Sequence, residues 1–233
     1  MPELRLGDHV QRLNDSDLTV LYYTSSKEPE DFEARARRWL LDVAGHLPIV
    51  SVSQKPLDLG TNICVGDVGA SYANEFRQIE IGAEAVKTTW IAVAEADFLY
   101  PPAYFQVPPN TGSEIYRYTN LWVLWAQTRR YGTKFARKNY SEGAQIITKR
   151  FLLKRIKRVM DKFPRWSQPG DPVPGEIYRK RKWFTFEDPE QPVIAIKSGL
   201  SMSLTTGTVR FEPRRDELPY WGSCVALREE LFG

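Results

Sequence analysis

The chain has 233 residues, 42% of them hydrophobic and 26% charged, with a formal net charge of +3. These values exclude the disordered, fibrous and collagen-like classes and leave room for one large α/β domain with a substantial core. The longest apolar runs, such as 121-LWVLWA-126, fall far short of the roughly 20 residues a membrane span needs. The mixed-charge start MPELRLGDHVQRLNDSD lacks the apolar core of a secretory signal. Two cysteines, Cys64 and Cys224, make no disulfide framework and no Cys/His spacing suggests zinc, so a reducing cytoplasm is the expected setting.

In chain order, 18-LTVLYYTSS-26 is rich in β-branched and aromatic residues and ends in small hydroxyl residues, predicting a buried strand that enters a loop. Glu28-Pro29-Glu30 then opens a helix, and Phe32, Ala36, Trp39, Leu40 and Val43 recur at helical spacing until Gly45 and Pro48 stop it. The run 48-PIVSVSQKP-56 predicts a second strand, 57-LDLGTNICVGDVGAS-71 a loop, and Tyr72 to Val86 a second helix with Phe76, Ile79, Ala83 and Val86 on one face. The strand 90-WIAVAEAD-97 follows. This β-α-β-α-β order with short connections predicts parallel strands covered by helices, with ligands at the carboxyl ends of the strands.

The second half is less regular. A buried strand is predicted at 119-TNLWVLW-125, and a basic helix over 145-QIITKRFLLKRIKRVMDKF-163, with Leu152, Ile156 and Val159 on an apolar stripe. Two short strands follow, Trp183 to Phe186 and Val193 to Ile196, and then a Gly/Ser/Thr loop through Gly207, in which 203-SLTTGT-208 could cradle phosphate through backbone N–H groups. The 218-LPYWG-222 cluster reads as packing of the C-terminus onto the domain, or else as an aromatic platform for a sugar or base. Charge is uneven: from Arg129 to Lys182 there are 17 Lys and Arg against four acids, while the rest of the chain is net acidic. Such asymmetry points to a polyanion or an acidic surface as partner, or else to a solvated helix face.

Residues i and i+2 of a strand share one face, so Glu95 and Asp97 should present two carboxylates together at the ligand edge. Two hard oxygen ligands suit Mg²⁺ or Mn²⁺, which takes one or two protein carboxylates and lets a phosphate complete its shell.

At these residues the sequence resembles the GT-A glycosyltransferases of the family-2 type, over roughly residues 18 to 156. In 22-YYTSSKEPE-30, Thr24, Ser25 and Glu28 match the first loop that meets the nucleotide. Arg77-Gln78, or Asn74 slightly earlier, takes the place of an Arg-Asn pair, and 95-EAD-97 stands for the DxD motif. Ser53-Gln54 replaces the Asp commonly found after the second strand, which leaves the nucleotide base open. The segment 143-GAQIITKRFLLKRI-156 is similar to a Gly-containing stretch that ends in a basic pair.

The resemblance implies a single GT-A domain, a Rossmann-like three-layer αβα sandwich with a mostly parallel central sheet. Residues 1–110 would form the nucleotide-sugar half and 111–233 the acceptor half. It also implies Mn²⁺ or Mg²⁺ on Asp97 and Glu95, a UDP-sugar as donor, and, in an inverting enzyme, a carboxylate base. Asp171, Glu176, Asp188, Asp216 and Glu217 are candidates, and Glu176 in 175-GEIYRKRKW-183 is the one that position favours; pairing with Arg179 or Lys180 is its structural alternative. Neither histidine, His9 or His46, reads as a metal ligand.

The basic segment is interleaved with Tyr131, Phe135, Tyr140, Phe151, Phe163, Trp166, Tyr178 and Trp183. Basic residues neutralise phosphates and aromatics stack bases, so DNA is a physically sensible acceptor. A duplex base would have to be flipped out to react. The small size resembles phage enzymes that add sugars to hydroxymethylated bases. Transfer to a cell-surface glycan or lipid-linked acceptor, with the basic helix in peripheral contact with anionic lipid, is the alternative enzyme. A non-catalytic nucleic-acid-binding protein on the same scaffold is the alternative outside enzymology.

Overall fold

The computed structural model of the protein describes residues 3–5, 17–106, 113–127, 133–172, 174, 183–198 and 212–233. Its elements begin with β1 (Glu3–Arg5), β2 (Leu18–Tyr23), α1 (Glu30–Ala44), β3 (Ile49–Ser53), β4 (Thr61–Cys64), α2 (Tyr72–Ala85), β5 (Trp90–Glu95) and β6 (Phe98–Leu99). They continue with a 3₁₀ turn (Pro102–Phe105), β7 (Ile115–Tyr118), β8 (Leu121–Trp125), β9 (Phe135–Lys138), β10 (Gln145–Thr148) and α3 (Lys149–Met160). The last are β11 (Phe184–Glu187), β12 (Val193–Lys197), β13 (Arg214–Arg215), β14 (Glu217–Leu218), β15 (Gly222–Ser223) and α4 (Cys224–Phe232).

The central sheet has eight strands in the order β1-β11-β7-β10-β5-β2-β3-β4. All its pairings are parallel except the two made by β10. The expected α/β class with a mostly parallel sheet flanked by helices is therefore what the chain adopts. β2 and β3 are buried at every position, as strands covered on both faces must be.

Alternation along these strands feeds two cores. Leu21, Tyr23, Val50, Val52, Ile91 and Val93 face α2 and α3, which contribute Phe76, Ile79, Phe151, Leu152 and Ile156. Val20, Tyr22, Ala92 and Ala94 face the opposite way, toward Leu40 of α1 and Leu121, Val123 and Ala195 of a second, five-stranded sheet. That sheet, ordered β13-β9-β8-β12-β6, packs its other face on α1 and α4 through Phe32, Ala36, Trp122, Ile194 and Leu227. Each buried Leu, Ile or Phe contributes roughly 1.5–3 kcal/mol. Helix α2 approaches the sheet so closely that a Cβ on Gly82 would lie 2.3 Å from Leu21 Cδ1, which is why a helix-weakening glycine is kept there.

Two elements differ from the sequence expectation. Gln145–Thr148 forms a strand, not the first turn of the basic helix, because Ile146 and Ile147 fill the gap between β5 and β7. Thr148 then caps α3, its hydroxyl accepting the Phe151 N–H. The 57–71 loop contains β4, an edge strand whose side chains are partly or fully exposed and whose strand partner among the described residues is β3. Trp221 is buried and its indole donates to Pro192 O, so the 218–222 cluster does pack the C-terminus. Among the described residues no helix is long and apolar enough to cross a membrane.

Candidate active site

After β2 the chain crosses through α1 to β3 on one side; after β4 it crosses back through α2 to β5 on the other. The strand order therefore reverses between β2 and β5, and a crevice at their carboxyl ends is where such a sheet binds ligands. Tyr23 and Glu95 are register partners at that edge.

Glu95 closes β5, while Asp97 sits two residues beyond it, the second residue of the tight Ala96-Asp97 turn that carries the chain into β6. Asp97 O accepts the Ile196 N–H at 2.7 Å, fixing the turn to β12. Glu95 is held from three directions. Tyr23 donates to its Oε1 at 2.8 Å. The Tyr100 hydroxyl accepts the Glu95 N–H at 2.8 Å and donates to Gly143 O at 2.7 Å. Gly143 lies against the carboxylate itself: a Cβ there would sit 2.5 Å from Glu95 Cδ. The glycine before β10 thus makes room for an acid.

Burial, and then the neighbouring Asp97, push the Glu95 carboxyl up to about 7. Burial raises Asp97 as well, opposed by Lys197 and Lys138. Both lysines come from the second sheet. Lys138 ends β9 beside Leu121, and Lys197 ends β12 beside Trp125, so they start from opposite ends of that sheet and converge on the acid pair. Two more acids complete the surroundings. Glu75, in the first turn of α2, is held well above the usual carboxylate range by burial and by Glu95, Glu142 and Asp97.

The sequence-predicted residues divide into two groups. Glu28 is brought to the acid pair: burial raises it, Asp97 adds to the rise, and Lys197 and Ser198 oppose it. Its Oε1 accepts from Ser198 at 2.9 Å, whereas Oε2 is buried with no hydrogen-bond partner among the described residues. Ser25 is half-buried in the same loop, next to Ser26, whose φ of 53° is left-handed and uncommon for a non-glycine residue.

The second group frames the crevice. Buried Thr24 donates to Glu33 at 2.8 Å and accepts from the Ser26 N–H. Gln78 donates to Thr24 O at 2.8 Å, tying α2 to the end of β2. Gln54 pins the 66–70 loop through Gly69 O and the Val68 N–H. Asn74 reaches Val68 O and pairs with both backbone groups of Ser167. Arg77 points away, to Glu80 and to Met160 O and Phe163 O at the end of α3. Gln54, Asn74 and Gln78 spend their polar atoms on backbone groups of the strand ends and loops, where buried N–H and C=O groups need partners.

Glu176, the expected base, lies outside the described residues, as does the 203–208 loop. Of the other base candidates, Asp171 accepts the Gln168 N–H, Asp188 accepts the Glu190 N–H, and Asp216 pairs with Lys134. Sequence reasoning missed Glu75, Lys138, Glu142 and Lys197, which come from α2, β9, the turn before β10 and β12. Only the acidic first turn of α2 was a local signal.

The residues fit a divalent cation as a two-carboxylate site. Among the described residues no group of three or more His, Cys, Asp or Glu side chains has the geometry to hold a metal alone. Glu95 and Asp97 offer hard oxygens, and their mutual repulsion at a buried strand end is the kind a cation relieves.

No protein-family model and no curated protein matches the chain. Among solved structures it is similar to a glycosyltransferase involved in the glycosylation of the major capsid of PBCV-1, at 14% identity and a TM-score of 0.45, over 92% of this chain and 98% of that one. It is also similar to the bifunctional IspDF from Campylobacter jejuni, at 12% identity and a TM-score of 0.37, and to residues 1–349 of S. aureus TarS, at 9% and 0.37. Those two matches cover 64% and 59% of this chain and span under half of the partner chains, 46% and 48%.

Proposed function

We propose that the protein is a glycosyltransferase that moves a sugar from a nucleotide-sugar donor, a UDP-sugar in the first instance, to a hydroxyl acceptor. The observation that carries this reading is the Glu95–Asp97 pair at the switch point between β2 and β5, with Glu95 fixed by Tyr23, Tyr100 and Gly143 and the Asp97 backbone fixed by Ile196. Glu95 and Asp97 would hold Mn²⁺ or Mg²⁺. The cation supplies positive charge to the departing diphosphate. The protein's own part is to fix these carboxylates before the donor arrives, so that little reorganisation is needed during transfer. Glu28 Oε2, buried without a hydrogen-bond partner among the described residues, would accept a hydrogen bond from a donor hydroxyl or ring N–H. Glu176 is the base we assign, by its place in the chain.

For the acceptor we favour DNA, a hydroxymethylated pyrimidine being the hydroxyl-bearing base of this size. Support comes from the direction of α3. Its first residue is tied to Thr89 O and Val86 O at the amino edge of the sheet, its end is held by Arg77, and the chain after it is held at Ser167 by Asn74 at the carboxyl edge. The exposed Lys154, Lys157, Arg158, Lys162 and Arg165 therefore run toward the rim of the crevice.

The test is thermal stability with Mn²⁺ and a panel of nucleoside diphosphates, for the wild type and Asp97→Asn. A ligand at 100 times its dissociation constant adds about 2.7 kcal/mol, roughly 5–10 °C in midpoint for a chain of this size. We expect a metal-dependent shift that the substitution abolishes. A protein that no nucleotide stabilises would instead be a binding protein on this scaffold.

A further inference from the structure

Lys138 carries an inference that deepens, and rests on, the glycosyltransferase reading. Its side chain is half-buried beside the acid pair, and among the described residues its ammonium makes one hydrogen bond, to Ser141 Oγ at 3.1 Å, and no ion pair. An ammonium has three donors, so two remain for a ligand. Lys197, buried at 9% exposure, lies near enough to repel it, while Glu95, Asp97 and Glu142 attract it.

Bringing two ammonium groups together away from water is unfavourable unless an anion joins them. The carboxylates offset part of this cost, but they are the groups a divalent cation would occupy. We propose that Lys138, with Lys197, binds the phosphates of the donor from the side of the second sheet, opposite the Glu95–Asp97 pair. Diphosphate recognition is then shared between a cation held by β5 and lysines held by β9 and β12. Loss of the lysine side should weaken binding of the second phosphate while leaving the nucleoside contacts intact.

The experiment is calorimetric binding of UDP, UMP and uridine with Mn²⁺ to the wild type, Lys138→Met, Lys138→Gln and Lys138→Arg. If UDP does not bind, the best diphosphate of the panel above replaces it, with its own monophosphate and nucleoside. Charged hydrogen bonds of this type predict a loss of roughly 10- to 100-fold in diphosphate affinity for the two neutral variants. Monophosphate and nucleoside affinities should move less than about threefold, and Lys138→Arg should keep most of the preference for the diphosphate. The neutral pair guards against one variant failing to fold. If diphosphate and monophosphate weaken in proportion, or neither changes, Lys138 is only a structural counter-charge and the proposal is overturned. If the wild type binds no nucleoside diphosphate at all, the glycosyltransferase reading falls and takes this proposal with it.

Discussion

The crevice between β2 and β5 and the outer face of α3 are both charged, yet they are built differently. In the crevice, Glu95 is held by Tyr23, by Tyr100 acting on its backbone, and by a glycine that leaves no space for a side chain. On α3, Lys154, Lys157 and Arg158 project into solvent and make no ion pair among the described residues. Charges fixed in a poorly solvated site have a geometry and shifted proton affinities. Exposed charges have only a field. One arrangement can direct chemistry; the other can collect a polyanion.

The sharpest way to break this contrast is Gly143→Ala. The new Cβ would meet Glu95 Cδ and Oε1 at 2.5 Å, closer than real Cβ contacts allow, so the carboxylate must shift from its place beside Tyr23. We expect Mn²⁺-dependent nucleotide binding to fall by about 100-fold or more, with a stability cost of about 1–3 kcal/mol. Calorimetry and denaturant melts read the two effects separately. Unchanged binding would mean that the position of Glu95 does not matter to the site.

Tyr100→Phe is the next largest. It removes a hydroxyl that satisfies both the Glu95 N–H and Gly143 O, leaving two buried backbone groups unpaired at a cost of about 2–3 kcal/mol. A midpoint that does not move would show that water replaces the hydroxyl.

The proton affinity of Glu95 gives a pH signature that α3 lacks. Its carboxyl rises from 4.5 to about 7 on folding, so between those values the folded state holds a proton that the unfolded state has released. The stabilisation is complete below about pH 4.5 and is lost as pH rises through about 7. Its size is on the order of 2 kcal/mol after allowing for partial solvent contact. Melts from pH 4.5 to 8 should show this decline without metal, and Glu95→Gln should flatten it. A slope that survives the substitution would assign it to another group, with Glu75 the first suspect.

The same contrast explains what the sequence reveals. Strands such as Leu18–Tyr23 and Trp90–Glu95 are legible because continuous burial writes a continuous apolar run. The acid pair is legible because the end of such a run marks the ligand edge. β4 is hidden, since an edge strand with partly exposed side chains carries no apolar pattern. Gln145–Thr148 misleads because it runs straight into a real helix, and only the gap between β5 and β7 makes it a strand. Lys138 is unreadable for a different reason, since nothing in its local sequence says that β9 delivers it to Glu95, and for Glu75 the acidic first turn of α2 marks a helix start but not the neighbour it meets. The aromatic residues of the basic segment also divide by location. Phe135 and Phe151 are core residues, Tyr131 and Tyr178 lie outside the described residues, and Tyr140, Phe163, Trp166 and Trp183 reach solvent at least in part.

The smallest effects are expected on α3, where one position is an internal control. Alanine at Lys154, Lys157 or Arg158 should change stability by no more than about 0.5 kcal/mol, since each is exposed. If DNA lies along this face, each substitution that loses a phosphate contact should reduce the slope of log affinity against log salt by about 0.7–0.9. Arg155 stands in the same basic run but is buried at 9% exposure. Arg155→Ala should therefore cost about 1–3 kcal/mol of stability and leave the salt slope alone. Salt-dependent DNA binding that ignored the three exposed residues would move the polyanion surface elsewhere on the chain. Binding to anionic vesicles but not to DNA would keep the face and change the acceptor.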